Sequence, residues 1–191
     1  MEKIIIDGKL RKVIYDTEKK TYTKTIKCKL KKRIKFYLHL RRYPGENIKY
    51  IADLFHKNGI NTFEVLSYSK YEVVMSEIEG KTLLEEIITN KDKERSEKLI
   101  YKYLDLVTRI IELGVYFGDF NFGNFIVHND ELYAIDLEDY RKDFLTRFRR
   151  KPLMKRLKRD LKRQEKTLLG INEYLNGENL YREVEERLEK N

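Results

Sequence analysis

Tryptophan is absent from this chain of 191 residues, and cysteine occurs once, as Cys28. A single thiol cannot close an internal disulfide, so nothing in the sequence argues for an oxidising compartment. Cys28 reads as a small core residue, not a nucleophile. There are two prolines and nine glycines, and no Gly/Ser-rich linker, low-complexity stretch or internal repeat. The three histidines, His39, His56 and His128, are scattered with no Cys or acidic cluster near them, which excludes a zinc-binding spacing. No apolar run approaches the roughly 20 residues that span a bilayer. The opening Met1-Glu2-Lys3-Ile4 lacks the shape of a signal peptide, so the cytoplasm is the expected compartment.

What the chain does have is charge and enough apolar residues for a core. Hydrophobic residues make up 41% and charged ones 38%, with a net charge of +9. This length fits one compact domain, or two lobes sharing a cleft. The positive charge is concentrated in two blocks, Lys27 to Arg42 and Arg141 to Lys166. Such blocks suit an anionic partner: a nucleotide, nucleic acid, acidic lipid or phosphorylated glycan. The plainer reading is a solvated helical face.

Hydrophobic periodicity gives the elements. Lys3 to Ile6, Lys12 to Tyr15 and Thr21 to Ile26 read as strands, parted by turns at Asp7-Gly8 and Asp16 to Lys19. Lys29 to Leu40 reads as a basic helix with apolar residues at Leu30, Ile34, Tyr37 and Leu38, broken by Pro44-Gly45. Glu46 to Lys57 is amphipathic, and Asn58-Gly59 ends it. Phe63 to Ser67 and Glu72 to Ser76 form a strand pair. Helices follow over Leu83 to Thr89 and Glu94 to Leu113, then a tight hairpin of Phe125 to Val127 and Leu132 to Ile135. The chain from Asp143 onward is helical and basic, with a last amphipathic helix near Leu180 to Leu188. Strands and helices do not alternate as βαβ units, so the class is α+β.

The chemistry lies in Tyr116 to Val127 and just beyond. Asp119 and Asn124 stand five positions apart, immediately before an apolar strand. Asp136 follows twelve residues later, at the end of a second strand. This is the D-x-x-x-x-N … D pattern of kinases. Phosphoryl transfer asks a protein mainly for positioning and for cancelling phosphate charge. Asp119 suits the acceptor hydroxyl and its proton. Asn124 and Asp136 offer oxygens to Mg2+, a hard cation. A lone Asp with an Asn five residues on is a weak signal; the strand context makes it specific.

Upstream residues agree in order. Lys24, inside the third strand, takes the place of a phosphate-binding lysine, and Glu46, opening the next helix, that of its partner. Singly, each is matched by an exposed strand lysine and by a helix-start acid favoured by the dipole. Val73 to Leu83 reads as a strand, a Gly-containing connector and a helix start. Backbone groups of Ser76 and Ile78 would meet the adenine edge, with Ile126 as the pocket floor. The expected division is a β-rich N-lobe over 1–75, a hinge over 76–82 and a helical C-lobe over 83–191, together a single domain.

These segments resemble the protein-kinase-like superfamily, and within it the lipopolysaccharide core heptose(II) kinase family. Glu46 to Asp53 with Asn58-Gly59-Ile60 is similar to that family's helix. Gly114 to Val127 is similar to its catalytic loop, Ile135-Asp136-Leu137 to its metal-binding strand end, and Arg159-Asp160 to Gly170 to its short C-terminal helical part. The resemblance implies a minimal two-lobed kinase fold with a truncated helical C-lobe. It also implies ATP and Mg2+ as cofactors, and phosphorylation of a heptose of the lipopolysaccharide inner core. Asp160 is implied to be structural, bonding the catalytic-loop backbone.

The departures sharpen the acceptor class. Phe117-Gly118-Asp119 replaces His-Arg-Asp, Asp136-Leu137-Glu138 replaces Asp-Phe-Gly, and no Ala-Pro-Glu segment follows. These losses argue against a regulated protein kinase and for a glycan or small-molecule kinase. No Gly-x-Gly-x-x-Gly loop is present; Gly8 alone marks the first turn. A glycolipid acceptor gives the block Arg141 to Lys166 a meaning as a peripheral anchor on the inner face of an anionic membrane. In that anchor Phe144, Phe148, Leu153, Met154, Leu157 and Leu161 interleave with basic residues. Two other readings compete: a small RIO-like or tRNA-modification-complex kinase, marked by binding to RNA or to a protein complex instead of a sugar acceptor, and a pseudokinase binding module; nucleic acid is the less favoured partner of the chain.

Overall fold

The computed structural model describes residues 1–28, 30–38, 40–90, 92–142, 146–169 and 175–190, with backbone only at 31, 32, 35, 146 and 147. Lys29, His39, Asp143, Phe144 and Gly170, all named above, lie outside that description. The chain forms two compact units, Met1–Ile78 and Glu79–Asn191.

The first unit is built on a five-stranded antiparallel sheet in the order β1-β2-β3-β5-β4. Its strands are β1 (Glu2–Asp7), β2 (Arg11–Asp16), β3 (Thr21–Ile26), β4 (Val65–Tyr68) and β5 (Glu72–Ser76). Local chemistry sets the turns. Gly8 N–H donates to the Arg11 carbonyl at 2.9 Å. Asp16 Oδ1 accepts from the N–H groups of Glu18 at 3.0 Å and Lys19 at 3.3 Å, an Asx-turn.

Between β3 and β4 run α1 (Leu30–Tyr37) and α2 (Pro44–Lys57). Buried Ile48, Ile51 and Phe55 recur at helical spacing and α2 packs on β4 and β5. Each of these three side chains contributes about 1.5–3 kcal/mol through burial. The Pro44-Gly45 pair, expected as a breaker, instead begins α2. Proline suits the first helical turn, where its missing N–H would be unpaired anyway. Gly45 is needed for a different reason: a Cβ there would lie 2.1 Å from the Ser69 carbonyl oxygen.

In α1 only Phe36 is buried among the described apolar residues; Leu30, Ile34, Tyr37 and Leu38 are all exposed. The helical period was legible there, but the stripe it makes does not enter the core.

The second unit holds α3 (Leu83–Thr89), α4 (Lys93–Glu112), α5 (Arg150–Thr167) and α6 (Gly177–Lys190). It also holds a small sheet of β6 (Lys81–Thr82), β7 (Phe125–His128) and β8 (Glu131–Ala134), in that spatial order. The strand β6 went unforeseen because two residues carry no periodicity. Gly80 precedes it with φ +148°, and a Cβ there would lie 2.1 Å from the Val127 carbonyl oxygen. Thr82 Oγ1 and Glu85 then close a capping box that starts α3. Along α4 the buried side is Leu99, Ile100, Tyr103, Leu104, Val107, Ile110 and Ile111.

The apolar side of α5 is likewise buried: Leu153, Leu157 and Leu161 are at most 3% exposed. This corrects the expected membrane anchor over Arg141 to Lys166. Of the residues meant to enter lipid, these three leucines pack inside the unit, Met154 is half-buried and Phe148 is exposed, and the outer face of α5 is a row of cations. No described helix is long and apolar enough to cross a membrane.

Candidate active site

Four phenylalanines frame the segment between α4 and β7. Phe117, Phe120, Phe122 and Phe125 are fully buried, while Asp119 between them is exposed. Phe117 lies against Phe120, centroids 4.2 Å apart, and stacks on Tyr140 at 4.6 Å with 10° between planes. The Tyr103 hydroxyl donates to the Phe120 carbonyl at 2.8 Å inside the core. The alternation of buried rings with outward polar residues makes the backbone here rigid while its polar side chains emerge.

Those polar side chains also fix one another. Asp119 Oδ1 accepts from Asn121 N–H at 3.1 Å, and Asn121 Oδ1 accepts from Gly123 N–H at 2.8 Å, capping a short 3-10 turn over Phe122–Asn124. The Asn124 side-chain amide donates toward the Asp119 carbonyl at 3.5 Å, which leaves Asn124 Oδ1 as its outward acceptor. Asn121 was not singled out from sequence; its signal was the Asn two positions before a glycine.

Asp136 joins the group through the β7–β8 hairpin. Phe125 pairs with Ala134, and Ile135 N–H donates to the Asn124 carbonyl at 2.9 Å, so Asn124 and Asp136 leave the same end of the hairpin. Asp136 has φ 60° and ψ 45°, a left-handed conformation uncommon for a residue with a Cβ. Burial, and then the negative charges of Asp136 and Asp119, raise the Tyr140 phenol far above its usual range. Both carboxylates therefore lie within electrostatic reach of one buried ring.

Helix α5 underlies the loop. Asp160 is 6% exposed; its Oδ2 is 3.5 Å from the Phe120 nitrogen, at the outer limit of a hydrogen bond, and its Oδ1 accepts from Arg159 Nε at 3.0 Å. Arg156, expected as one of the cations of the basic block Arg141 to Lys166, donates from Nη1 to the Gly118 carbonyl at 3.1 Å. A Cβ on residue 118 would lie 2.2 Å from that Nη1. The signal was the glycine itself, standing where kinases of the His-Arg-Asp type carry arginine.

In the first unit, Lys24 is 7% exposed and sits in a row across the sheet between Val13 and Val73, its register partners. An exposed strand lysine is thereby excluded. Glu46 Oε2 accepts from Tyr43 N–H at 3.2 Å, a capping bond at the start of α2. Ser76 N–H donates to the Glu64 carbonyl at 2.9 Å and Glu77 N–H to the Lys20 carbonyl at 2.9 Å. Both donors are therefore engaged in the unit. Among the described residues, Ile78 makes no backbone hydrogen bond outside regular elements. In the second unit Ile126 is half-buried on β7, paired with Tyr133 and Thr82.

Among the described residues no group of three or more His, Cys, Asp or Glu comes together. An all-protein metal cage is thus not what this site offers. One amide oxygen and one carboxylate at a shared hairpin end fit Mg2+, which usually takes one or two protein ligands and completes its shell with phosphates and water.

Solved structures show the same chain path. The complex of Rio2 kinase with ADP/Mg2+-phosphoaspartate from Chaetomium thermophilum matches with a TM-score of 0.61 over 99% of this chain, at 15% sequence identity. The chain has a protein-kinase-like fold. A second match, the Rv3197–erythromycin complex from Mycobacterium tuberculosis, has a TM-score of 0.50 over 73% of this chain at 14% identity. The alignments span 61% and 45% of those two proteins. No protein-family model and no curated protein sequence matches the chain.

Proposed function

We propose that this chain is an ATP-dependent phosphotransferase acting on an alcohol hydroxyl, with a sugar of the lipopolysaccharide core as acceptor. The observation that carries the proposal is the convergence of Asp119, Asn124 and Asp136 at one end of the β7–β8 hairpin, on a loop braced by buried rings. The sugar rests on the likeness of the quoted segments to heptose kinases and on the missing protein-kinase features.

In this reading Asp119 keeps Oδ1 on the Asn121 N–H and presents Oδ2 to the acceptor hydroxyl. The acceptor oxygen bonds to the γ-phosphorus, the bond to the β-phosphate oxygen breaks, ADP departs, and the acceptor proton passes to Asp119. Asn124 and Asp136 would hold Mg2+, which supplies charge neutralisation on the phosphates. Lys24 serves the phosphates from β3, with Glu46 as its orienting acid. Ser76, through its carbonyl, and Ile78 serve the adenine edge within a hinge over 76–82, and Ile126 the base face.

The test is incubation with γ-labelled ATP and delipidated cell-envelope glycans. Label is expected in a glycan fraction. Asp136→Ala should abolish turnover, and Asp119→Asn should lower it by about 10²-fold or more while nucleotide binding persists. Near-normal rates in both variants would dismiss the site. Label on the chain itself, with none on glycan, would favour the RIO-like reading. No label and no Mg-ATP binding would leave a binding module.

A further inference from the structure

Helix α1 presents a feature that the phosphotransfer site does not use. Residues 27–42 contain eight Lys or Arg and no acid. Within that segment Leu30, Ile34, Tyr37 and Leu38 fall at i, i+4, i+7 and i+8, a single stripe on a helix. These four residues and Leu40 are 51–78% exposed, while Phe36, on the opposite side, is 6% exposed and anchors the helix to its unit. A stripe of large apolar side chains facing water, set in a wholly basic segment, matches no other described surface of this chain.

The last turn of α1 opens onto a hollow of about 700 Å3. Its walls include Tyr37, Arg41, Arg42, Tyr43 and Lys70, with Glu46 as the one acid. Glu46 is already capping α2. Arg42 lies over the Tyr50 ring at 3.7 Å and Lys70 over Tyr43 at 4.9 Å, so these cations are held in place by aromatic faces. Cations beside tyrosines at the end of an apolar stripe suit a phosphate group at the boundary between water and hydrocarbon.

We propose that α1 and the hollow at its C-terminal end form a docking surface for an anionic lipid bilayer. The stripe enters the headgroup–acyl boundary, the basic segment lies against the negative surface, and the hollow takes a lipid phosphate. Charge complementarity selects an anionic partner, and the exposed stripe selects lipid over nucleic acid, which offers no apolar phase for leucine and isoleucine. The proposal does not depend on the phosphotransfer reading. It moves the membrane contact from the second unit, where α5 buries its apolar face, to the first.

Sedimentation with vesicles tests it. Binding to vesicles with about 30 mol % phosphatidylglycerol should exceed binding to pure phosphatidylcholine at least about tenfold, since each basic residue at the surface adds roughly fivefold. It should weaken in about 0.5 M salt. The triple variant Leu30→Asn, Ile34→Asn, Leu38→Asn should lose at least about tenfold in binding, with an unchanged melting temperature because these side chains are exposed. The absence of tryptophan supplies a second readout. Tyr37→Trp introduces a single reporter, whose emission should shift to the blue on phosphatidylglycerol vesicles. Equal binding to both vesicle types, undiminished binding by the triple variant, or no blue shift would each overturn the proposal. RNA binding that survives the triple substitution, without vesicle binding, would overturn it too and assign the segment to nucleic acid.

Discussion

Gly118 and Arg156 form one unit of structure separated by 38 residues in sequence. The glycine leaves the space, and the guanidinium from α5 fills it and takes the loop carbonyl immediately before Asp119. Arg156 therefore pins the backbone one residue before Asp119. If Asp119 acts as proposed, Arg156→Ala should lower turnover about tenfold with the KM for ATP unchanged, because misplacement of a positioned base affects the transition state more than nucleotide binding. Gly118→Ala should behave alike, since its Cβ displaces the same group. Steady-state kinetics on both variants checks this; a change confined to KM would refute it. At this scale the sequence was most informative where chemistry demands a residue type. Asp119, Asn124 and Asp136 were singled out by their spacing, and the β7–β8 hairpin brings Asn124 and Asp136 to one end. Arg156 was not readable, because its role depends on a tertiary approach that no local spacing encodes.

At the scale of elements, α6 is fastened to α5 at its first turn. Gly177 allows the approach, since a Cβ there would lie 2.8 Å from the Leu161 carbonyl. Glu178 then meets Lys158 at 2.7 Å and Lys162 at 2.9 Å. Hydrogen bonds from Lys158 first, and Lys162 second, hold the Glu178 carboxyl down from its usual 4.5 to about 2. A lowered carboxyl stabilises the folded form fully above its unfolded value and loses that contribution as pH falls through about 2. The melting-temperature gap between wild type and Glu178→Gln should thus be present at neutral pH and close between about pH 5 and about pH 2. It should be small and shrink with salt, since the lysines are half exposed. A gap that persists at about pH 2 would show another cause.

The same scale separates what periodicity can and cannot say. Strands β3 and β5 were bounded correctly from their β-branched and apolar runs, and the helix read over Leu83 to Thr89 matches α3. The stripe of α1 was equally visible, yet its exposure was not. Periodicity reports that a helix has a face and is silent on what covers it. The α5 leucines expected to face lipid within Arg141 to Lys166 are buried for the mirror-image reason: a basic amphipathic helix at an interface and one packed on a core share a sequence pattern.

Across the whole molecule, two compact units meet in sequence at Ile78 and Glu79, within the connector expected as a hinge. The fold class was legible because the order of strands, helices, hairpin and helices leaves few arrangements that bury each face. The proposed acceptor was not legible, because the D-x-x-x-x-N … D spacing is common to kinases with different acceptors. A nucleotide bound only by the folded form should raise the melting temperature of the whole chain. At Mg-ATP about 100 times its Kd the expected gain is about 2.7 kcal/mol. Mg2+ omission, or Asp136→Ala, should reduce the shift, and a shift indifferent to both would detach nucleotide binding from the hairpin end.

The left-handed backbone at Asp136 carries a warning for anyone who redesigns this chain. Such a conformation costs most side chains on the order of 1 kcal/mol, aspartate or asparagine less, and glycine least. A procedure that optimises compatibility with the backbone would favour replacing the aspartate. It would produce a sturdier protein that had discarded its carboxylate, and a melting curve recorded without Mg-ATP would not register the change.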